Sequence, residues 1–462
     1  MNPDVATASA DAHSLSRSLR PRHITMITIG GIIGAGLFVF SSNAIAAVGP
    51  AVVITYALTG TLVLLVMRML GEMAVAMPEV RSFTEFARAG LGNWAGFSVG
   101  WLYWFFWAIV IPAEAIAGAL IIQKWMPQLS MLEIGTALMV VMTAVNLMSA
   151  RAYGEFEFWF SLVKVIAIVA FIVGAGAYAF GLIGPKVATF GNLTAHGGFM
   201  PFGPVPVLAT VTTVFFSMMG AEIVTIAAAE SPEPARAVAR MVSTVVWRIV
   251  GFYVVSVFLI VSVIPWNTIT PGFSPFAATL DAMHVPLTSL IMQVIILTAV
   301  LSCLNSSYYI CSRVLFVLAG RGDAPRWLVK TNARHVPARS VLLGTVAGYA
   351  GIIANIYSPD HVYKFLVNAS GALIVFIYIA IALSQIRTRR LRERAGGANT
   401  GLRMWFFPWA SYLAIAAMIA VLIAMGASPA LRSQLWASMV SVAIALLAYL
   451  GVRRLRANRT TG

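Results

Sequence analysis

Three ionisable side chains stand well inside long apolar runs: Glu114, Lys164 and Glu222. Charge held in an apolar medium is costly, so such residues point to an ion or substrate path. Glu222 lies in VFFSMMGAEIVTIAAAESPEP, two residues after Gly220, where it suits a site residue or a proton relay. Lys164 follows Phe158, which reads as the start of its run, by about 9 Å of helix. One reading lets its ammonium snorkel back to the interface. The other buries it beside the first apolar run, where a fixed or titrating ammonium replaces a sodium ion. Glu114, in WFFWAIVIPAEAIAG, is a second-tier candidate, equally suited to an internal site and to a helix-packing hydrogen bond.

Two runs also carry signs of interrupted helix. ITIGGIIGAGLFVFSS gathers Gly30, Gly31, Gly34 and Gly36, and the other break falls at Gly220. A helix restarting after Ile33, Gly34, Ala35 and Gly36 presents free N–H groups and a positive dipole end to a carboxylate. Unwound carbonyls at Ser217, Met218, Met219 and Gly220 suit an ammonium, so main chain alone can hold a zwitterion. Tyr103, within an aromatic cluster that covers every face of its helix, is a further candidate for the pocket wall. The competing reading is that the glycines only let helices pack closely.

The elements that must position these groups follow from composition. Of 462 residues 60% are hydrophobic and 10% charged, with a mean hydropathy of +0.87. A soluble domain carries about a quarter charged residues, so lipid must cover this surface. Windows of about 20 apolar residues give about twelve spans, near 24–48, 51–77, 94–123, 131–149, 156–181, 203–229, 241–264, 286–318, 340–357, 362–385, 404–425 and 433–452. The fold class is therefore an all-α membrane protein. Roughly 23 Lys and Arg fall in the loops and tails of one side, against about four (Lys124, Lys186, Lys364, Arg432) on the other. Lys and Arg are retained on the cytoplasmic side, which places both termini there, as an even span count requires. Residues 1–20 and the final dozen read as disordered tails, the last of them 456–462, around one domain over 21–455.

Several classes are excluded. The net charge of +15 is spread through loops rather than gathered on one soluble face, which argues against nucleic acid. No GxxxxGK[ST] phosphate loop, metal-type His/Cys cluster or nucleophile elbow is present. No enzyme activity, cofactor, metal or obligatory protein partner is expected; the partners are a small amino acid, protons and the bilayer. Cys303 and Cys311, in one apolar run, read as free buried thiols.

The opening ITIGGIIGAGLFVFSS, GEMAVAMPEVRSFTEFA and GAEIVTIAAAESPEPARAV together resemble the amino acid–polyamine–organocation superfamily, in its bacterial amino acid transporter family, over residues 17–455. GAEIVTIAAAES, SCLNSSYYICSRVLFVLAGRGDAP and KFLVNASGALIVFIYIAIALSQIR are most similar to its 4-aminobutyrate (GABA) permease branch. That resemblance implies a leucine-transporter-like fold with inverted repeats over about 21–185 and 200–390 and peripheral helices over about 400–455. It implies proton-coupled uptake by alternating access across a bacterial inner membrane. It carries the substrate carboxylate onto Ile33, Gly34, Ala35 and Gly36, and the amine onto Ser217–Gly220. Lys164 then takes the place of a coupling ion, and Glu222 matches the acid of the sixth span. The aromatics of SSYY at 306–309 differ from that branch, which leaves aromatic, proline and branched-chain substrates open, with a non-transporting sensor behind them.

Overall fold

In the hydrocarbon core no water is available for backbone polar groups, so each apolar run must satisfy its own as helix. The computed structural model describes residues 19–34, 36–80, 82–184, 189–230, 236, 238–239, 249–358, 372–396 and 401–460, and among them every regular element is helical. Nine segments of the described residues are long and apolar enough to cross a membrane, one of which, Arg22–Ala76, covers two of the expected spans. The expected spans at 241–264 and 362–385 lie partly outside the described residues; their described portions include the helices Val255–Val263 and Leu373–Arg394.

In chain order the helices are α1 (Pro21–Ile32), α2 (Ser41–Val48), α3 (Val52–Ala76), α4 (Phe83–Leu91), α5 (Asn93–Trp125), α6 (Met131–Met148) and α7 (Ala150–Ala179). Then come α8 (Pro204–Ala209), α9 (Val211–Met218), α10 (Ile223–Ala227), α11 (Val255–Val263), α12 (Pro275–Ala282), α13 (Thr288–Gly320) and α14 (Ala338–Tyr357). The last three are α15 (Leu373–Arg394), α16 (Trp409–Ala427) and α17 (Arg432–Thr460). Local chemistry sets the starts that matter. Ser149 accepts the Ala152 N–H and opens α7, and Ser130 with Glu133 forms a reciprocal capping box for α6.

Two expectations change here. The fifth span starts at Ala150, not near Phe158, so Lys164 lies about 20 Å along its helix rather than 9 Å. The side chain is fully buried, and the snorkelling reading falls. The final dozen residues, expected as a tail, are helical as far as Thr460. The first 18 residues lie outside the described set.

Burial separates centre from rim. The most apolar window of Pro204–Ala227 is 83% buried within the protein, against 11% for that of Arg432–Arg454. The segment carrying the second break is thus enclosed, while α17 offers most of its surface to lipid. α1 packs on α7 and α10, and α13 lies against both α5 and α7.

Candidate functional site

Both expected interruptions are present. α1 ends at Ile33, whose ψ of 89° leaves helical geometry, and the chain resumes as a wide π-type turn over Gly36–Phe40 leading into α2. Ala35 lies outside the described residues. In the second segment α9 stops at Met218, Met219 is extended and Gly220 takes φ +109°, before α10 begins behind Glu222.

The glycines serve packing as well as interruption. A Cβ on Gly220 would lie 2.0 Å from the carbonyl oxygen of Gly31, and its positive φ excludes other residues independently. A Cβ on Gly36 would meet Ser217 Cα at 2.8 Å, and one on Gly30 would strike Ser161 Oγ. Gly34 meets nothing closer than 3.8 Å, so it belongs to the break rather than to the packing.

Between the breaks is a cavity of about 30 Å³, bordered by Gly34, Gly36, Ser217, Met219, Glu114 and Cys303. That volume holds about two waters, too little for an amino acid. Ile33, Met218 and Gly220 are buried next to it without forming its lining. Leu37 N–H reaches back to the Gly34 carbonyl at 3.4 Å, and the Ser217 carbonyl already accepts the Tyr253 hydroxyl at 2.8 Å. Glu114 brings a carboxylate to the wall, and its Oε2 has no hydrogen-bond partner among the described residues.

Glu222 is fully buried and clamped by two phenols. Tyr103 donates to Oε1 at 3.0 Å and Tyr378, from α15, to Oε2 at 2.9 Å. Tyr103 therefore holds the acid of the break; it is not among the cavity's lining residues.

Lys164 reaches the other break, at the end of α1. Its ammonium donates to the Gly30 carbonyl at 2.7 Å, near the end of α1, and to Ser302 Oγ at 2.8 Å. Glu157 Oε1 lies 3.9 Å from Nζ and accepts hydroxyls from Ser161 and Ser302. Glu157, Ser302, Tyr253 and Tyr378 do not stand out in the sequence. For Glu157 a signal existed: it precedes Lys164 by seven residues and Ser161 by four, which puts all three on one helix face.

Further out, Glu72 accepts Gln385 at 2.9 Å and the Met404 N–H at 2.8 Å, with Arg389 and Arg392 each 3.5 Å away. Glu230 takes Arg313 at 2.8 Å and Tyr309 at 3.0 Å, and its carbonyl accepts the Leu19 N–H. Among the described residues no three His, Cys, Asp or Glu side chains gather as a metal site.

Two interrupted helices meeting at one small cavity, in a membrane fold whose described elements are all helical, suit a carrier of small molecules. The amino acid permease family model matches residues 23–458, and the chain belongs to that family. It is 45% identical to the gamma-aminobutyric acid permease of Bacillus subtilis, over 95% of this chain and 94% of that one. It is 46% identical to a probable GABA permease of Pseudomonas aeruginosa, over 96% and 94%. An aromatic amino acid transport protein of Corynebacterium glutamicum is more distant, at 38% over 96% and 97%.

Proposed function

We propose that this permease imports 4-aminobutyrate or a closely related amino acid together with protons, by alternating access. The observation that carries the reading is the pair of breaks facing one small cavity, with a buried ammonium on the end of the first interrupted helix. The substrate carboxylate is placed at the restart of helix at Gly36, where N–H groups and the dipole favour an anion. Its ammonium is placed between the Met218–Met219 carbonyls and Glu114. The Ser217 carbonyl is a weaker candidate, because Tyr253 already occupies one of its lone pairs.

Lys164, at the first break, is the titratable group proposed to move the coupled proton, and Glu222, at the second, is proposed to order that break through Tyr103 and Tyr378. Lys164 stands where a sodium ion would otherwise join α1 to α7, and losing its proton would weaken the bond to the Gly30 carbonyl. The inner end of α1 would then be released. The proposal extends to twelve spans, two inverted repeats, both termini in the cytoplasm and an inner-membrane location. GABA is favoured over aromatic substrates by the identities of 45–46% against 38% among the named relatives.

The test is uptake of labelled GABA into proteoliposomes with an acidic exterior and an alkaline lumen, with unlabelled amino acids as competitors. Accumulation that follows the gradient and is best displaced by GABA is the expected result. Uptake of phenylalanine or proline in its place reassigns the substrate, and dependence on sodium overturns the proton coupling. Binding with no uptake of any amino acid identifies a sensor.

A further inference from the structure

The geometry points to Glu157 as the group that receives the coupled proton from Lys164, through the hydroxyl of Ser302. This assignment rests on the proton-coupled reading above and adds the next stop on the path. Three observations converge on it.

The first is continuity. Lys164 Nζ donates to Ser302 Oγ, and the same hydroxyl donates its own hydrogen to Glu157 Oε1. The donors point one way along the chain, from ammonium through hydroxyl to carboxylate. The transfer is balanced. A proton leaves Nζ for Ser302 Oγ as the hydroxyl hydrogen passes to Oε1. A neutral amine, an unchanged serine and a neutral carboxylic acid remain. The net charge of the pair is zero before and after, so this step adds no isolated charge to an interior where one would be expensive.

The second is vacancy in bonding. Glu157 is 0% exposed, and although Oε1 takes two hydroxyls, Oε2 has no hydrogen-bond partner among the described residues. A carboxylate built only to neutralise an ammonium would use both oxygens or face the charge directly; here Nζ and Oε1 are 3.9 Å apart with a hydroxyl joining them. Buried acceptors left unpaired are uncommon. The third is position. Glu157 is anchored two turns nearer the start of α7 than Lys164. In the proposed orientation that is the cytoplasmic side, toward which an imported proton must travel.

Among the described residues the titratable neighbours are few. Tyr153 lies one turn below Glu157 on α7, with its hydroxyl shared with Ser306. Cys303 follows Ser302 on α13, and Glu114 approaches Lys164 from α5. From α1 the pair meets the Gly30 carbonyl.

The experiment compares two assays on the same proteoliposomes: gradient-driven GABA accumulation, and exchange of labelled for unlabelled GABA with no gradient. Exchange needs the carrier to cycle loaded without net proton release. Ser302→Ala removes the link without changing any charge, and Glu157→Gln removes the acceptor while keeping its shape. Both are expected to lower accumulation by about 100-fold, the upper range for losing a positioned proton-transfer group being larger still, while exchange persists. Infrared difference spectra after a pH jump should show a protonated-carboxyl band in the wild type that Glu157→Gln lacks. Full accumulation in either variant overturns the assignment. So does loss of exchange as complete as loss of accumulation in both variants, because the residues would then serve the fold. Wild-type uptake indifferent to the proton gradient removes the coupling reading itself, and this assignment with it.

Discussion

Two buried glutamates stand near the two helix breaks, Glu222 at the second and Glu157 beside the lysine that holds the first, and their surroundings differ in kind. Glu222 has a phenol on each oxygen and, among the described residues, no cation paired with its carboxylate. Glu157 has an ammonium 3.9 Å away, two hydroxyls on one oxygen and, among the described residues, no hydrogen-bond partner on the other. Phenols hold their protons at any physiological pH, so the Glu222 clamp has donors with nothing to give away. The lysine side has a donor able to release a proton and an acceptor with room to take it. The proposed proton path therefore rests on what surrounds each acid rather than on burial, which the two share.

Lys164→Ala should give the largest effect. It cuts the bond to the Gly30 carbonyl and leaves Glu157 buried without its cation, a change that typically costs about 3–5 kcal/mol. Gradient-driven accumulation should vanish, and thermal denaturation in detergent should fall accordingly. Retention of accumulation by this variant would erase the distinction between the two sides. Glu222→Gln comes next. It leaves one oxygen acceptor for two phenol donors, so at least one of the two bonds is lost at about 1–3 kcal/mol, and stability should drop while accumulation still follows the gradient. If it uncouples uptake as fully as the lysine variant, Glu222 belongs to the proton path and the contrast breaks. Tyr103→Phe should be smallest, at about 1 kcal/mol for one lost hydrogen bond. Its loss should be largely absent in a Glu222→Gln background, which a double-mutant cycle of denaturation midpoints would reveal.

Much of this arrangement was legible in the chain itself. The runs around Gly30–Gly36 and Gly220 named both breaks, because only glycine suits both a lost turn and a backbone pressed on a neighbour. Packing and interruption had stood as rivals; the structure assigns Gly34 to one and Gly30, Gly31 and Gly36 to the other, with Gly220 serving both. Lys164 and Glu222 were visible as charges in apolar surroundings. Glu157 was not, because an entry near Phe158 put it at the membrane boundary, and the helix in fact begins at Ala150. Tyr378 and Ser302 escaped for another reason. A lone tyrosine or serine is common in any apolar helix, and its partner here is 156 or 145 residues away. The cap at Ser149 was the signal that would have moved the boundary, and with it the lysine's depth.

The meeting of Gly31 and Gly220 is main chain against main chain. Interfaces made of side chains absorb small shifts by changing rotamers, as gears with backlash do. This one has no rotamers to change. A displacement of α1 must therefore appear at once in α10, with no slack between them. Spin labels on these two helices should keep a constant separation while each changes its distance to α13.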